Sequence, residues 1–112
     1  MKENLLQIKS YSFVLKIVKL YKYFFEEKKE YVLNKQILRS GISIAANNKE
    51  TIGRQSSKDF FAKLTKVYKE ARETHFWIRL LTDTNYISKE ENQSLLYEND
   101  ELLGILVLSK IH

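Results

Sequence analysis

Three carboxylates and one imidazole offer this 112-residue chain its most obvious chemistry. Glu70 and Glu73 stand one helical turn apart, and Glu50, in the preceding apolar block, could approach them. Three carboxylates on adjacent helices could hold a hard cation. Lys66, Lys69, Arg72 and Arg54 lie close by in sequence, so ion pairing is the reading the local charge favours. A di-metal carboxylate centre in a helical bundle needs Glu-x-x-His on two helices, and that motif does not occur. The histidines are His75 and the terminal His112, and there is no cysteine, which also argues against a zinc site. Gly53 stands alone and not in a phosphate-cradling loop, and no serine has the setting of a nucleophile. No catalytic residue, metal or cofactor is therefore expected, and the chain reads as a non-enzyme.

Charge is more informative. Residues 1–69 hold 15 Lys+Arg against 6 Asp+Glu, whereas residues 70–112 hold 4 against 8, so a basic opening stretch precedes an acidic remainder. Lys16, Lys19 and Lys22 follow one another with no acid between Ser10 and Phe25, and Lys35 and Arg39 extend the set into the next block. Such a surface attracts phosphates by releasing condensed counterions, and its binding is salt-dependent and largely indifferent to sequence. Lys16, Lys19, Lys22, Lys35 and Arg39 are thus the candidate contacts to RNA or DNA. An acidic protein partner could use the same face, and a solvated lysine-rich surface is the plainer alternative.

These residues need a frame, and composition points to helices. The chain has no proline and three glycines, with 44% hydrophobic and 29% charged residues, a globular balance with few chain breakers. Apolar residues recur at helical spacing in four blocks, at about 10–25, 31–52, 57–83 and 89–110. The first block is read with Tyr11, Val14, Ile17, Val18, Tyr21, Phe24 and Phe25 as its inner stripe, followed by a charged loop over Glu26–Glu30. The second has Leu33, Ile37, Gly41, Ile44 and Asn48 inside, with Leu38, Ile42 and Ala45 beside them. Gly41 costs about 1 kcal/mol of helix propensity, which implies a close helix contact there. The third block lines up Phe60, Leu64, Val67, Ala71, Thr74, Ile78 and Leu81, and the fourth Leu95, Asn99, Leu102 and Leu106. Ser56 with Asp59, and more cleanly Ser88 with Glu91, have capping-box spacing at the last two starts. The fold expected is an all-α, antiparallel up-and-down four-helix bundle forming a single domain over residues 1–112.

Two segments carry more apolar surface than one stripe requires, His75–Leu81 and Leu102–Ile111. A second subunit could cover the excess, which makes Phe76, Trp77 and Leu80 candidate oligomer contacts; alternatively Trp77 closes the edge of the core. No signal peptide is visible, and the apolar run Leu102–Leu108 is far shorter than the roughly 20 residues that span a bilayer. A cytoplasmic, non-membrane protein is expected.

The segments GISIAANNKETIGRQSSKDF (41–60) and KEARETHFWIRLL (69–81) carry a more specific signal. Together they resemble the four-helix-bundle proteins of the 23S ribosomal RNA intervening-sequence family, also called S23 proteins, over roughly Ser10 to Ser88. Ser43, Ile44, Ala46, Asn47 and Glu50 match the signature of helix two. Gly53, Arg54, Ser56 and Phe60 match the following turn, and Glu70, Ala71, Glu73, Thr74, Trp77 and Leu81 match helix three. Ala45 replaces a usual proline, which implies a straighter and longer end to helix two. The resemblance implies a small bacterial bundle of poorly defined role, similar to the accessory protein of diversity-generating retroelements, a basic homopentamer that binds nucleic acid and a reverse transcriptase. It also implies that Asn47, Glu50, Arg54, Glu70 and Glu73 form a structural polar cluster between helices two and three.

Overall fold

A computed structural model describes residues 2–50 and 57–111, with side chains described for residues 5–48 and 58–108. Four helices account for nearly all of it: α1 (Lys2–Tyr23), α2 (Val32–Glu50), α3 (Ser57–Asp83) and α4 (Lys89–Ile111). They pack in ring order, each against the next and α4 back against α1, as an antiparallel up-and-down bundle about 45 Å long and 20 Å across. No strand occurs among the described residues.

The core follows the expected lines of α3 and α4. Leu64, Val67, Ala71, Thr74, Ile78 and Leu81 on α3, and Leu95, Asn99, Leu102 and Leu106 on α4, are all buried. On α2, Ile37, Gly41, Ile44 and Asn48 are buried as expected, with Asn34 and Ser40 added to them. Helix α1 differs in both extent and register. It begins at Lys2 instead of near Ser10, and its inner line is Leu6, Ser10, Phe13, Ile17 and Leu20, carried on by Phe24 just past its end. Tyr11 and Phe25 face solvent. Apolar residues occur on nearly every side of this helix, so its own periodicity fits two registers and the packing against α2 and α4 selects one. The segment 26–30 is the loop expected only at its end: residues Phe24–Lys28 continue as a π-helical turn, ended by Lys29 in the left-handed region (φ 55°), and irregular chain through Lys29 and Glu30 leads to α2.

Three of the four seams are fixed by a polar side chain on a neighbouring helix. Asn34 donates to the Tyr21 carbonyl at 2.9 Å across α1 and α2, and Gln7 donates to the Asn48 carbonyl at the other end of that seam. The Thr74 and Ser40 hydroxyls meet at 2.8 Å between α3 and α2. Asn99 donates to the Ala71 carbonyl at 3.0 Å between α4 and α3. A buried polar group left without its partner costs about 1–3 kcal/mol, so each bond penalises a slip of its helix. The α1–α4 seam is instead held by ion pairs, Lys9 with Glu101 at 3.0 Å and Lys16 with Glu98.

The start of α4 is capped as its sequence indicates. The Ser88 hydroxyl accepts from the Glu91 N–H at 3.1 Å, and the Ser88 N–H donates to the Glu91 carboxylate at 3.2 Å. Ser88→Ala is expected to cost about 1 kcal/mol in urea unfolding, with Ser88→Asp close to wild type. Ser56, expected to cap α3, lies outside the described residues. Helix α2 runs through Ala45 without a break, as replacement of a proline there implies.

Candidate nucleic-acid interface

The five cations expected to meet nucleic acid divide into two groups. Lys16 is held in the α1–α4 seam, where its ammonium pairs with Glu98 and donates to the Ser94 hydroxyl at 3.2 Å. Arg39 reaches across the α2–α3 seam, pairing with Glu73 and lying 3.6 Å from Glu70. The bundle's ring order puts these seams on opposite sides, so Lys16 and Arg39 do not share a face. Lys19, Lys22 and Lys35 are exposed and make no ion pair among the described residues. The bond from Asn34 to the Tyr21 carbonyl sets Lys22 and Lys35, each one residue further along its helix, at similar heights on α1 and α2. Lys19 follows one turn away. The free cations thus gather toward the α1–α2 hairpin end.

Lys19 also edges a recess of about 410 Å³ between α1 and α4, lined by Lys16, Leu20, Tyr23, Glu90, Ser94 and Leu95 among others. Lysines form one wall and glutamates the other, over a leucine floor.

The expected polar cluster is only partly assembled. Glu70 and Glu73 converge on Arg39, not on Lys66, Lys69 or Arg72. Glu73 also accepts the Trp77 indole N–H at 2.8 Å. Asn47 is half-buried further along α2, at a separate recess of about 280 Å³ with Asp59, Ala62, Lys63 and Lys66. The Glu50 side chain and Arg54 lie outside the described residues. Among the described residues, no group of three carboxylate, imidazole or thiol side chains is placed to hold a metal ion.

Of the three expected oligomer contacts, Phe76 points outward and is 56% exposed. Trp77 and Leu80 are half-buried, and Trp77 packs against the bundle's own core. Larger apolar exposure lies on α1, where Ile8, Tyr11 and Leu15 form a line on the outward side, 66%, 63% and 48% exposed. Sequence reasoning missed this face because it assigned Tyr11 to the core. No helix among the described residues is long and apolar enough to cross a membrane.

The class defined by these features is an antiparallel four-helix bundle with charged seams and a lysine-bearing hairpin end. Residues 2–107 match the 23S rRNA-intervening sequence protein family, and the chain belongs to that family. It is similar over its whole length to a crystal structure of a protein of unknown function from the S23 ribosomal protein family of Bacteroides thetaiotaomicron. The two are 43% identical, each is covered completely, and the TM-score is 0.97. No curated protein matches the sequence.

Proposed function

We propose that this protein is a non-enzymatic, homo-oligomeric bundle that binds RNA or another nucleic acid through exposed cations. The observation that carries the reading is that Lys19, Lys22 and Lys35 are each exposed toward the α1–α2 hairpin end and make no ion pair among the described residues. Lys16 and Arg39 serve the bundle's own seams instead. Self-association is supported by the outward apolar line of α1, since a patch of this kind on a soluble helix calls for cover. A homopentamer is the assembly that the resemblance to the retroelement accessory protein implies, and the lack of cysteine fits a reducing compartment such as the cytoplasm.

Fluorescence anisotropy with short RNA and DNA at rising salt tests the function. Three phosphate contacts to a single strand account for a fall in affinity of roughly twentyfold between 50 and 200 mM salt. Substitution of Lys19, Lys22 and Lys35 by glutamine should lower the slope of log affinity against log salt by about 2. Absence of binding at low ionic strength would reject the reading. A second reading, a scaffold that docks a protein such as a polymerase or a ribosomal component, is favoured by the α1–α4 recess with its opposed charges and apolar floor. Partners retained after nuclease treatment would support it.

A further inference from the structure

The outward side of α3 bears a second pattern, separate from the lysines of the hairpin end. Tyr68, Arg72, Phe76 and Arg79 follow at helical spacing, which places them along one side. The Arg72 guanidinium lies over the Tyr68 ring, 5.9 Å from its centroid. The Phe76 ring stands edge-on to Trp77, with centroids 5.0 Å apart. Arg72, His75, Phe76, Arg79, Leu80 and Asp83 line a recess of about 330 Å³. Nearby acids do not neutralise the arginines: among the described residues neither guanidinium pairs with a carboxylate. Asp100 is 3.7 Å from His75, and Glu73 is engaged by Arg39 and Trp77. Asp83 is the one carboxylate in the lining.

An exposed aromatic ring between two guanidinium forks that have no carboxylate partner among the described residues, Arg72 resting on Tyr68 and reaching its hydroxyl at 3.4 Å, matches the chemistry of an unstacked nucleotide. We infer that this face binds single-stranded nucleic acid, with one base stacked on Phe76 and the flanking phosphates held by Arg72 and Arg79. The inference rests on the proposed nucleic-acid function and adds a site and a strand form to it. Seven residues at about 1.5 Å each separate the arginines by roughly 10 Å along the helix, close enough for both to reach phosphates around one base. Arginine presents a planar fork that grips phosphate through two bonds. A ring platform accepts any base, because every base has a π face. A duplex keeps its bases stacked inside and gains nothing from the ring.

Trp77 is the chain's sole tryptophan and touches the Phe76 ring, so its emission reports on the site. The full-length protein is titrated with short oligouridine and with a matched duplex at low salt, following Trp77 emission and the anisotropy of labelled strands. Saturable quenching by the single strand is expected, with weaker binding and no quenching by the duplex. Phe76→Leu should weaken single-strand binding by about tenfold and abolish the quenching, and Phe76→Tyr should restore both. Arg72→Gln with Arg79→Gln should lower the slope of log affinity against log salt by about 1.4. Circular dichroism verifies that each variant is folded. Anisotropy showing binding by the wild type, with Trp77 emission unchanged and Phe76→Leu at full affinity, overturns the site but leaves the nucleic-acid function standing. No binding by the wild type to any strand overturns both. A Phe76→Leu protein of altered native mass and unchanged affinity makes Phe76 a contact between copies and also overturns the site.

Discussion

Phe13→Ala is expected to lower the stability of the bundle by about 3–5 kcal/mol, whereas Tyr11→Ala leaves it within roughly 0.5 kcal/mol. The two positions are neighbours on α1 and both aromatic, yet Phe13 is fully buried and Tyr11 is 63% exposed. Phe13 and Phe24 are the two aromatic rings in a core cluster whose other members are aliphatic. Truncation of Phe13 removes a ring's worth of buried surface and leaves a cavity that neighbours on four tightly packed helices fill only in part. Tyr11 projects from the outward side, where removal costs the fold little. Urea denaturation at two protein concentrations measures both effects and separates folding from association, because a self-associating chain gains stability with concentration. A Tyr11→Ala loss as large as that of Phe13→Ala would put α1 in the other register.

Gly41→Leu is expected to destabilise by about 3 kcal/mol, at the upper end of the usual cost of overpacking. A Cβ at Gly41 would stand 3.1 Å from Ile17 Cγ2 and 3.3 Å from Ile17 Cγ1, tighter than ordinary contact. Leucine must place three more carbons in that space, so α1 and α2 would have to separate. Gly41→Ala is a balance: alanine gains about 1 kcal/mol of helix propensity over glycine, and Ile17 gives a few tenths of an ångström to admit the methyl. The net change is expected within about 1 kcal/mol of zero. Gly104 supplies the control, since nothing lies within 4 Å of a Cβ there. Gly104→Ala should therefore show the propensity gain alone, about 0.5–1 kcal/mol. Combining Gly41→Leu with Ile17→Ala should recover part of the loss. Strict additivity in that cycle would show that Ile17 is not the obstacle.

Local patterning carried much of the fold. Four apolar blocks, the inner lines of α3 and α4 and the reciprocal cap at Ser88 and Glu91 could be read because each depends on residues within a few turns. The close approach at Gly41 was legible for the same reason: a glycine inside a helix is costly unless a neighbour needs the space. The family signature was also local, lying in two continuous segments.

What tertiary structure alone decided was which helices are neighbours and which face of α1 they cover. Helix α1 offers apolar residues on opposite sides, so its sequence period fits an inner line through Phe13 and another through Tyr11; only contact with α2 and α4 distinguishes them. Pairing of Lys16 with Glu98, 82 residues away, and of Arg39 with Glu73, 34 residues away, likewise follows from ring order. These pairings divide the five candidate cations into two that join helices and three that make no ion pair among the described residues. Sequence spacing fixes where a side chain lies on its own helix, because helical geometry repeats every few residues. It does not fix what stands opposite, because that depends on packing among segments far apart in the chain.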